Sequence, residues 1–404
     1  MSVFLETVTV EEAIRQVLSI APSPKTGSVS LENAIGRVVS GDILADIDIP
    51  GFTRSVVDGY AVRHSDTSGA SESVPAMLEY GGRIGMGEHA GPTGKPAGRC
   101  VYVPTGGHVP DDFDAVAMIE YCEQVGNEVL IKRSLAHGEN LVGKGEDFRR
   151  GEVVLEKGHR LSPQDVGVLA AVGCDPVPVY LIPRIGIIST GNEVIPVSSI
   201  PREGQVRDVN SYLCGAYARE SGCDPVLYGI VRDEPALFRE VLGKATQECD
   251  AVLISGGSSK DERDLTASLI GEKGEVLVHG IALAPGKPTI IGRAENIPVI
   301  GLPGHPASAF VVLVIVVRHL LNMMTGDCST KLDIVQSRAL ANIPSARGRE
   351  EYIRVTLSDK GAMPVFGKSG LLNTLIRSDG IVRIPAGTEG IEKGDPIEVI
   401  RWQG

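Results

Sequence analysis

A chain of 404 residues exceeds what one ordinary hydrophobic core supports, so about two to four domains are expected. Its 42% apolar and 22% charged content describes a folded globular chain, and a net charge of −12 excludes a nucleic-acid backbone as partner, which would need clustered Lys and Arg. Seven scattered Cys without a C-x-x-C pair and eight isolated His exclude a disulfide frame and a zinc site. The longest apolar run, 309–317, is too short to span a bilayer and no secretory leader pattern opens the chain, so the expected location is the cytoplasm.

In chain order, 8–18 reads as an amphipathic helix, with Thr9 as N-cap, Glu11 and Glu12 in the first turn, and apolar Val10, Ala13, Ile14, Val17 and Leu18. A short helix over 30–36 and a strand over 37–43 follow. Residues 50–64 read P-G-F-T-R-S-V-V-D-G-Y-A-V-R-H. Asp58-Gly59 is most simply a hairpin turn, and more sharply a carboxylate presented on a rigid loop beside Arg54 and Ser55. From 75 to 142 short apolar runs alternate with glycine turns, among them Pro104-Thr105-Gly106-Gly107, a possible anion-facing turn. Ser162-Pro163-Gln164-Asp165 is a capping box that opens a helix over 164–172. These patterns divide the first half of the chain into a split linking domain, 21–47 with 142–176, and an inserted β-rich module, 48–141.

The stretch 180–325 alternates strands and helices, and together with 1–20 it forms the expected α/β domain, 1–20 and 177–326. Strands are expected over 185–189, 226–231, 251–254, 276–278, 289–291 and 298–301, in an open, mostly parallel sheet. Helices are expected over 211–221, 234–247, 265–270 and 307–323, with Asp233 and Asp264 as N-caps. The last of these is apolar almost all round and is expected to be buried, in a subunit interface. Most strands end in a polar or glycine turn: Ser189-Thr190-Gly191-Asn192-Glu193, Ser255-Gly256-Gly257-Ser258-Ser259 and Pro303-Gly304-His305-Pro306. In a parallel sheet these ends share one edge, and several such turns there point to a ligand crevice with a phosphate-binding corner at Gly256-Gly257. Residues 327–404 read as a C-terminal β domain. The fold class is thus multidomain α/β plus β.

Eight blocks in a fixed order carry a resemblance. They are F-T-R-S-V-V-D-G-Y-A-V (52–62), Thr105-Gly106-Gly107 with Asp114-Ala115-Val116, Gly145-Glu146-Asp147, S-T-G-N-E (189–193), Asp208-Val209-Asn210-Ser211, Ser255-Gly256-Gly257 with Asp264, P-G-K-P (285–288) and L-P-G-H-P (302–306). Together they resemble the MoeA family of molybdopterin molybdenumtransferases, related to the C-terminal enzyme part of gephyrin. The resemblance implies four domains per subunit and an elongated homodimer, with a cleft shared between the β module of one subunit and the α/β domain of the other. It also implies insertion of molybdenum from molybdate into adenylylated molybdopterin, with release of AMP and help from Mg2+ or another divalent cation. Tungstate is an alternative to molybdate, and the molybdopterin adenylyltransferase is a further expected partner.

Within that chemistry Gly256, Gly257 and Lys287 suit a phosphoanhydride, held by glycine-turn amides and a cation. Asp58, Asp147, Glu193, Asp233 and Asp264 are the candidate catalytic carboxylates, with Glu193 and Asp264 the expected metal ligands. Ser255, Ser258 and the turn Pro303, Gly304, His305, Pro306 are donors for a tetrahedral oxyanion, and Ser55, Thr105, Gly106, Thr190, Gly191 and Asn210 complete the expected substrate-binding set. Departures from the family pattern are Val57 for Met, Ser258 to Asp261 for Val-Ser-Val-Gly, Ala284 for Lys and His305 for Asn, with Lys260 a substitute cation. Two other classes fit fewer blocks: a nucleotide-hydrolysing CinA-like enzyme and a non-catalytic cofactor carrier or scaffold.

Overall fold

The computed structural model describes residues 7–89, 91, 94, 96–256, 260–328, 332–368 and 370–402, and of 260–264 the helix alone. Helix α1, Val10–Ile20, is capped by Thr9, whose hydroxyl accepts from the Glu12 N–H, and it buries Val10, Ala13 and Val17. That face packs far along the chain, against the α/β sheet and its last helices.

Residues on either side of the β module meet in one core. Thr26–Val29 pairs with Val177–Tyr180, and Ile43–Leu44 pairs with Val153–Leu155. Ala34, Val39, Ile43 and Ala45 pack there against Leu161, Val177, Val179 and Leu169 of α2, Pro163–Ala171. The expected 37–43 strand is reduced to single bridges at Val38 and Val39 before Ile43–Leu44, and the expected 30–36 helix to one 3-10 turn, Leu31–Asn33. Gly36, at φ +72°, and Gly41 break the run, so neither element can lengthen. The β module is a six-stranded sheet in the order Ala115–Met118, Gly59–Val62, Arg99–Val103, Ala76–Arg83, Glu128–Ile131, Cys122–Val125. Alternate residues feed two cores, Tyr60 and Val62 on one face, Ala61, Val101 and Val103 on the other.

The α/β unit is built from β1 (Arg184–Thr190), α3 (Asn210–Glu220), β2 (Asp224–Val231), α4 (Pro235–Glu248), β3 (Ala251–Ser255), α5 (Lys260–Lys273), β4 (Gly274–His279), β5 (Ile290–Ala294) and β6 (Ile297–Leu302). The sheet order is β2-β1-β3-β6-β5-β4, with β2, β1, β3 and β6 parallel and β5 antiparallel to both its neighbours, β6 and β4. Strand β1 lies between β2 and β3, so its chain-neighbours depart to opposite sides and leave a crevice at the carboxyl ends of β1 and β3. Ile185 and Ile187 face α3 and the last helices, whereas Ile188 faces Phe238 and Leu242 of α4 and Leu269 and Ile270 of α5.

Two expected N-caps fall elsewhere. Helix α5 begins at Lys260, so Asp264 lies within it, because Lys-Asp-Glu-Arg-Asp is itself good first-turn helix sequence. Glu234 holds the N-cap position of α4 without a side-chain capping bond, while Asp233 exchanges hydrogen bonds with Asn192.

Helices α6 (Pro306–Val312) and α7 (Arg318–Thr325) form one 20-residue rod through a π-helical segment, Leu313–Val317. By length and composition that rod is apolar enough to cross a membrane, yet most of it is buried within this chain. Val10, Ala13, Val17, Cys214 and Ala218 cover it together with Tyr352, Ile381 and Ile400 of the C-terminal unit. The expected subunit interface is therefore not what buries this helix: its apolar surface is already covered from within.

The C-terminal sheet runs Leu283–Ala284, Glu350–Ser358, Gly380–Ile384, Pro396–Arg401, Ile334–Arg338, with Gly361–Pro364 beside Glu350–Ser358. Its first strand comes from the α/β stretch, which ties the P-G-K-P turn to this sheet.

Candidate active site

Strands β1 and β3 run parallel in register, Ser189 opposite Ser255, so Thr190 and Gly256 leave the sheet side by side. Gly256 has φ +148°, and a Cβ there would stand 1.9 Å from Thr190 Oγ1 and 2.5 Å from Thr190 O. Only glycine lets the chain at position 256 lie this close to the end of β1. Between β1 and α3 the chain forms a wall in which Val194–Ile195 pairs with Val206–Arg207. Its end is fixed by Asp208, buried, whose Oδ1 accepts from Ser189 Oγ at 3.2 Å and from the Ser211 N–H at 3.1 Å. Asn210, the first residue of α3, donates from Nδ2 to Gly304 O at 2.9 Å and so ties this wall to the turn before α6.

These elements enclose a cavity of 660 Å3, within the usual range for small-molecule sites. It is lined by Ser189, Thr190, Glu193, Val194, Pro201, Gln205 to Asn210, Ser255, Gly256, Gly304, His305 and Pro306, and closed by Gly370 and Leu372 of the C-terminal unit. Of the expected residues the structure thus brings together Thr190, Glu193, Asn210, Ser255, Gly256, Gly304, His305 and Pro306, with Gly191 and Pro303 adjoining in the chain. Gly257 and Ser258 lie outside the described residues, as does the Asp264 side chain. Asp233 and Lys287 are not among the lining residues. Asp233 is held by Asn192 just beyond Gly191, and Lys287 is exposed on its own turn.

A second group sits in the β module. Asp58 Oδ1 accepts from the Thr105 N–H at 2.7 Å and from Thr105 Oγ1 at 3.2 Å, and the Gly106 N–H donates to Ser55 O at 2.8 Å. The strand Arg54–Ser55 pairs with Leu141–Val142 rather than with Gly59–Val62, so Asp58-Gly59 is not a hairpin turn. It is the presented carboxylate. Ser55 is 1% exposed, and its hydroxyl bonds Val57 O within the loop, so it shapes the loop instead of reaching a ligand. Asp147 is exposed in the linking region, its N–H on Ile49 O. None of Ser55, Asp58, Thr105, Gly106 or Asp147 lines the cavity.

Among the described residues no three of His, Cys, Asp and Glu form a metal-holding group. Glu193 on the cavity wall is nonetheless enough for the usual Mg2+ arrangement, one or two carboxylates with substrate phosphates and water supplying the rest.

Two residues escaped the sequence reading. Asp208 was visible only as part of a block, two positions before a helix-opening Asn. Arg354 had no local signal: it lies mid-strand in the C-terminal sheet, 6% exposed, donating from Nη2 to Gly367 O, with Nε unpartnered. Burial pushes its pKa down, and among the described residues it has no ion pair. It lines a 120 Å3 cavity with Pro285 of the P-G-K-P turn, Tyr352, Phe366 and Gly367.

The sequence matches three family models in chain order: the MoeA N-terminal region (domain I and II) over 8–173, a probable molybdopterin binding domain over 186–323, and the MoeA C-terminal region (domain IV) over 336–402. The chain belongs to the MoeA family. A putative molybdopterin biosynthesis protein of Methanocaldococcus jannaschii is 33% identical over 93% of this chain and 92% of its own length. A molybdopterin molybdenumtransferase of Bacillus subtilis is 30% identical over 97% and 94%. The crystal structure of a molybdopterin biosynthesis MoeA protein from Pyrococcus horikoshii superposes with a TM-score of 0.85 at 33% identity, over 98% of this chain and 100% of that one. Membership in the MoeA family makes this chain a transferase of molybdenum cofactor biosynthesis that acts on molybdopterin. The β1/β3 crevice falls inside the stretch matching the molybdopterin binding domain.

Proposed function

We propose that the chain inserts molybdenum from molybdate, or tungstate in its place, into adenylylated molybdopterin and releases AMP, in a cytoplasmic homodimer. The observation that carries this reading is the 660 Å3 cavity at the sheet edge, where the bare backbone of Gly256, the Thr190 hydroxyl and the Glu193 carboxylate converge. The open backbone at Gly256 and the Thr190 hydroxyl receive phosphate oxygens. A divalent cation, when bound at Glu193, neutralises those oxygens in a low-dielectric cleft. Arg354 offers a buried, acid-free guanidinium to a tetrahedral oxyanion, with Lys287 on the neighbouring turn as the outer cation.

Asp58 and Thr105 belong to the same family set, yet they stand in the β module and away from the cavity lining. Closing the site with the module of a second copy resolves that separation. The test is AMP release by purified protein given adenylylated molybdopterin with molybdate, tungstate or neither. Oxyanion-dependent release is expected, reduced roughly 100-fold in Glu193→Gln. Retention of the adenylylated substrate without release, with either oxyanion, would make the protein a carrier and end this reading.

A further inference from the structure

A separate cavity, of 230 Å3, shares no residue with the crevice and lies between the linking region and the ends of α3 and α7. Three arginines line it, and no lining residue is acidic: Arg37 and Arg160 come from the linking region, Arg219 from the last turn of α3. Arg160 is spent within the fold, since it pairs with Asp327 and donates to Gly36 O. The other two guanidinium groups are not. Arg37 donates from Nη2 to Tyr180 O at 2.9 Å, and its side chain has no further partner among the described residues. Burial pushes its pKa down, and no carboxylate offsets that cost. Arg219 is exposed, and its side chain makes neither a hydrogen bond nor an ion pair among the described residues. Beside these two cations the wall leaves apolar Ile35, Leu181 and Ile182 exposed.

We infer that this cavity is a second ligand site, for a small organic anion whose carboxylate or phosphate is held by Arg37 and Arg219 while a short apolar body rests on Ile35, Leu181 and Ile182. The arginine fork offers parallel N–H donors that match either anion, and two unpaired cations on one small cavity favour a negative charge between them. The volume falls below the usual range for larger ligands, so a body of about one ring fits. The thiol there, Cys223, is buried with its pKa pushed up to about 12, so the site binds and does not react. Arg37 belongs to the linking region and Arg219 to α3, so a bound anion ties together two units that meet at this cavity. The site therefore serves an effector that stiffens the junction between the linking region and the α/β unit.

Benzoate, phenyl phosphate, inorganic phosphate and benzyl alcohol are the probes, each titrated calorimetrically into the full chain. Benzoate or phenyl phosphate binds at least roughly tenfold tighter than inorganic phosphate and benzyl alcohol, the scale of one hydrogen bond to a charged group. Which of the two binds better tells whether the clamp is built for a carboxylate or a phosphate. Arg219→Gln, at an exposed position that leaves the fold intact, weakens the preferred probe at least roughly tenfold, and Arg37→Gln does the same. The preferred probe also raises the melting temperature of the native protein, and Arg219→Gln abolishes that rise. No binding of either organic anion at millimolar concentration overturns the inference, as does equal binding of benzyl alcohol, which would leave an apolar notch only. Undiminished affinity in both arginine variants would place the anion elsewhere, the crevice included, and overturn it too. A changed oligomeric mass in Arg219→Gln without loss of probe affinity would make a second copy the occupant and likewise overturn it. None of these readouts uses AMP release, so their outcome is separate from that of the proposed reaction.

Discussion

Asp58 uses one carboxylate oxygen to hold the backbone and hydroxyl of Thr105 and leaves the other without a partner among the described residues. An amide in its place can still accept from Thr105, so Asp58→Asn is expected to keep the melting temperature while lowering AMP release by roughly 100-fold, the size of a lost electrostatic contact in a closed site. Differential scanning calorimetry and a turnover assay separate the two effects. His108 makes a different kind of prediction. Buried against Phe52 and His89 with Nδ1 unpartnered, it has its pKa pushed down by burial and by His89, with Asp111 opposing. The folded protein therefore binds a proton on this ring less readily than the unfolded chain, which does so near the ordinary value of 6.5. The stability it confers is complete above that pH and is lost as pH falls through the lower folded value. Melting curves between pH 5 and 8 should show this slope, and His108→Leu should flatten it.

Among the elements, the end of β3 tolerates no side chain. Gly256→Ala would drive a methyl into Thr190 at an unfavourable φ, and a loss of about 2–4 kcal/mol is expected in chemical denaturation. A stability equal to the native protein would mean the turn has freedom that its contacts deny. This turn, like the polar ends of β1 and β6, was legible in the sequence, because four or more apolar residues stopping at Gly, Ser or Pro is a signature of buried parallel strands. The capping of α2 by Ser162 and Asp165 was legible for the same local reason. What escaped were features set by distant chain. Asp233 looked like an N-cap but is recruited by Asn192, 41 residues away. The pattern Asp58-Gly59 signalled a hairpin, but its flanking strands find partners elsewhere in the module. The apolar α6–α7 rod read as an interface because no local pattern could reveal that α1 and the C-terminal sheet both cover it. Arg354 was invisible, since an Arg within a β pattern gives no sign of burial.

At the scale of the whole molecule, a buried polar tie joins the linking region to the end of α7. Arg160 grips Asp327, whose side chain is fully buried, with Nε at 2.8 Å and Nη2 at 2.7 Å, and it donates to Gly36 O of the linking region. Arg160→Leu removes the guanidinium from a buried carboxylate, so a loss of about 2–3 kcal/mol is expected by denaturant titration, with the linking core itself intact. The fold leaves Asp58 and Thr105 in one unit and the Glu193 cavity in another, and the proposed reaction needs both. The most direct test mixes Asp58→Asn subunits with Glu193→Gln subunits under conditions where exchange is shown independently, and follows molybdate-dependent AMP release. If the catalytic cleft is shared, each mixed dimer regains about one active site, because one cleft then receives both native carboxylates. No recovery above the two parent variants would place both residues in the same subunit's site and contradict the shared cleft.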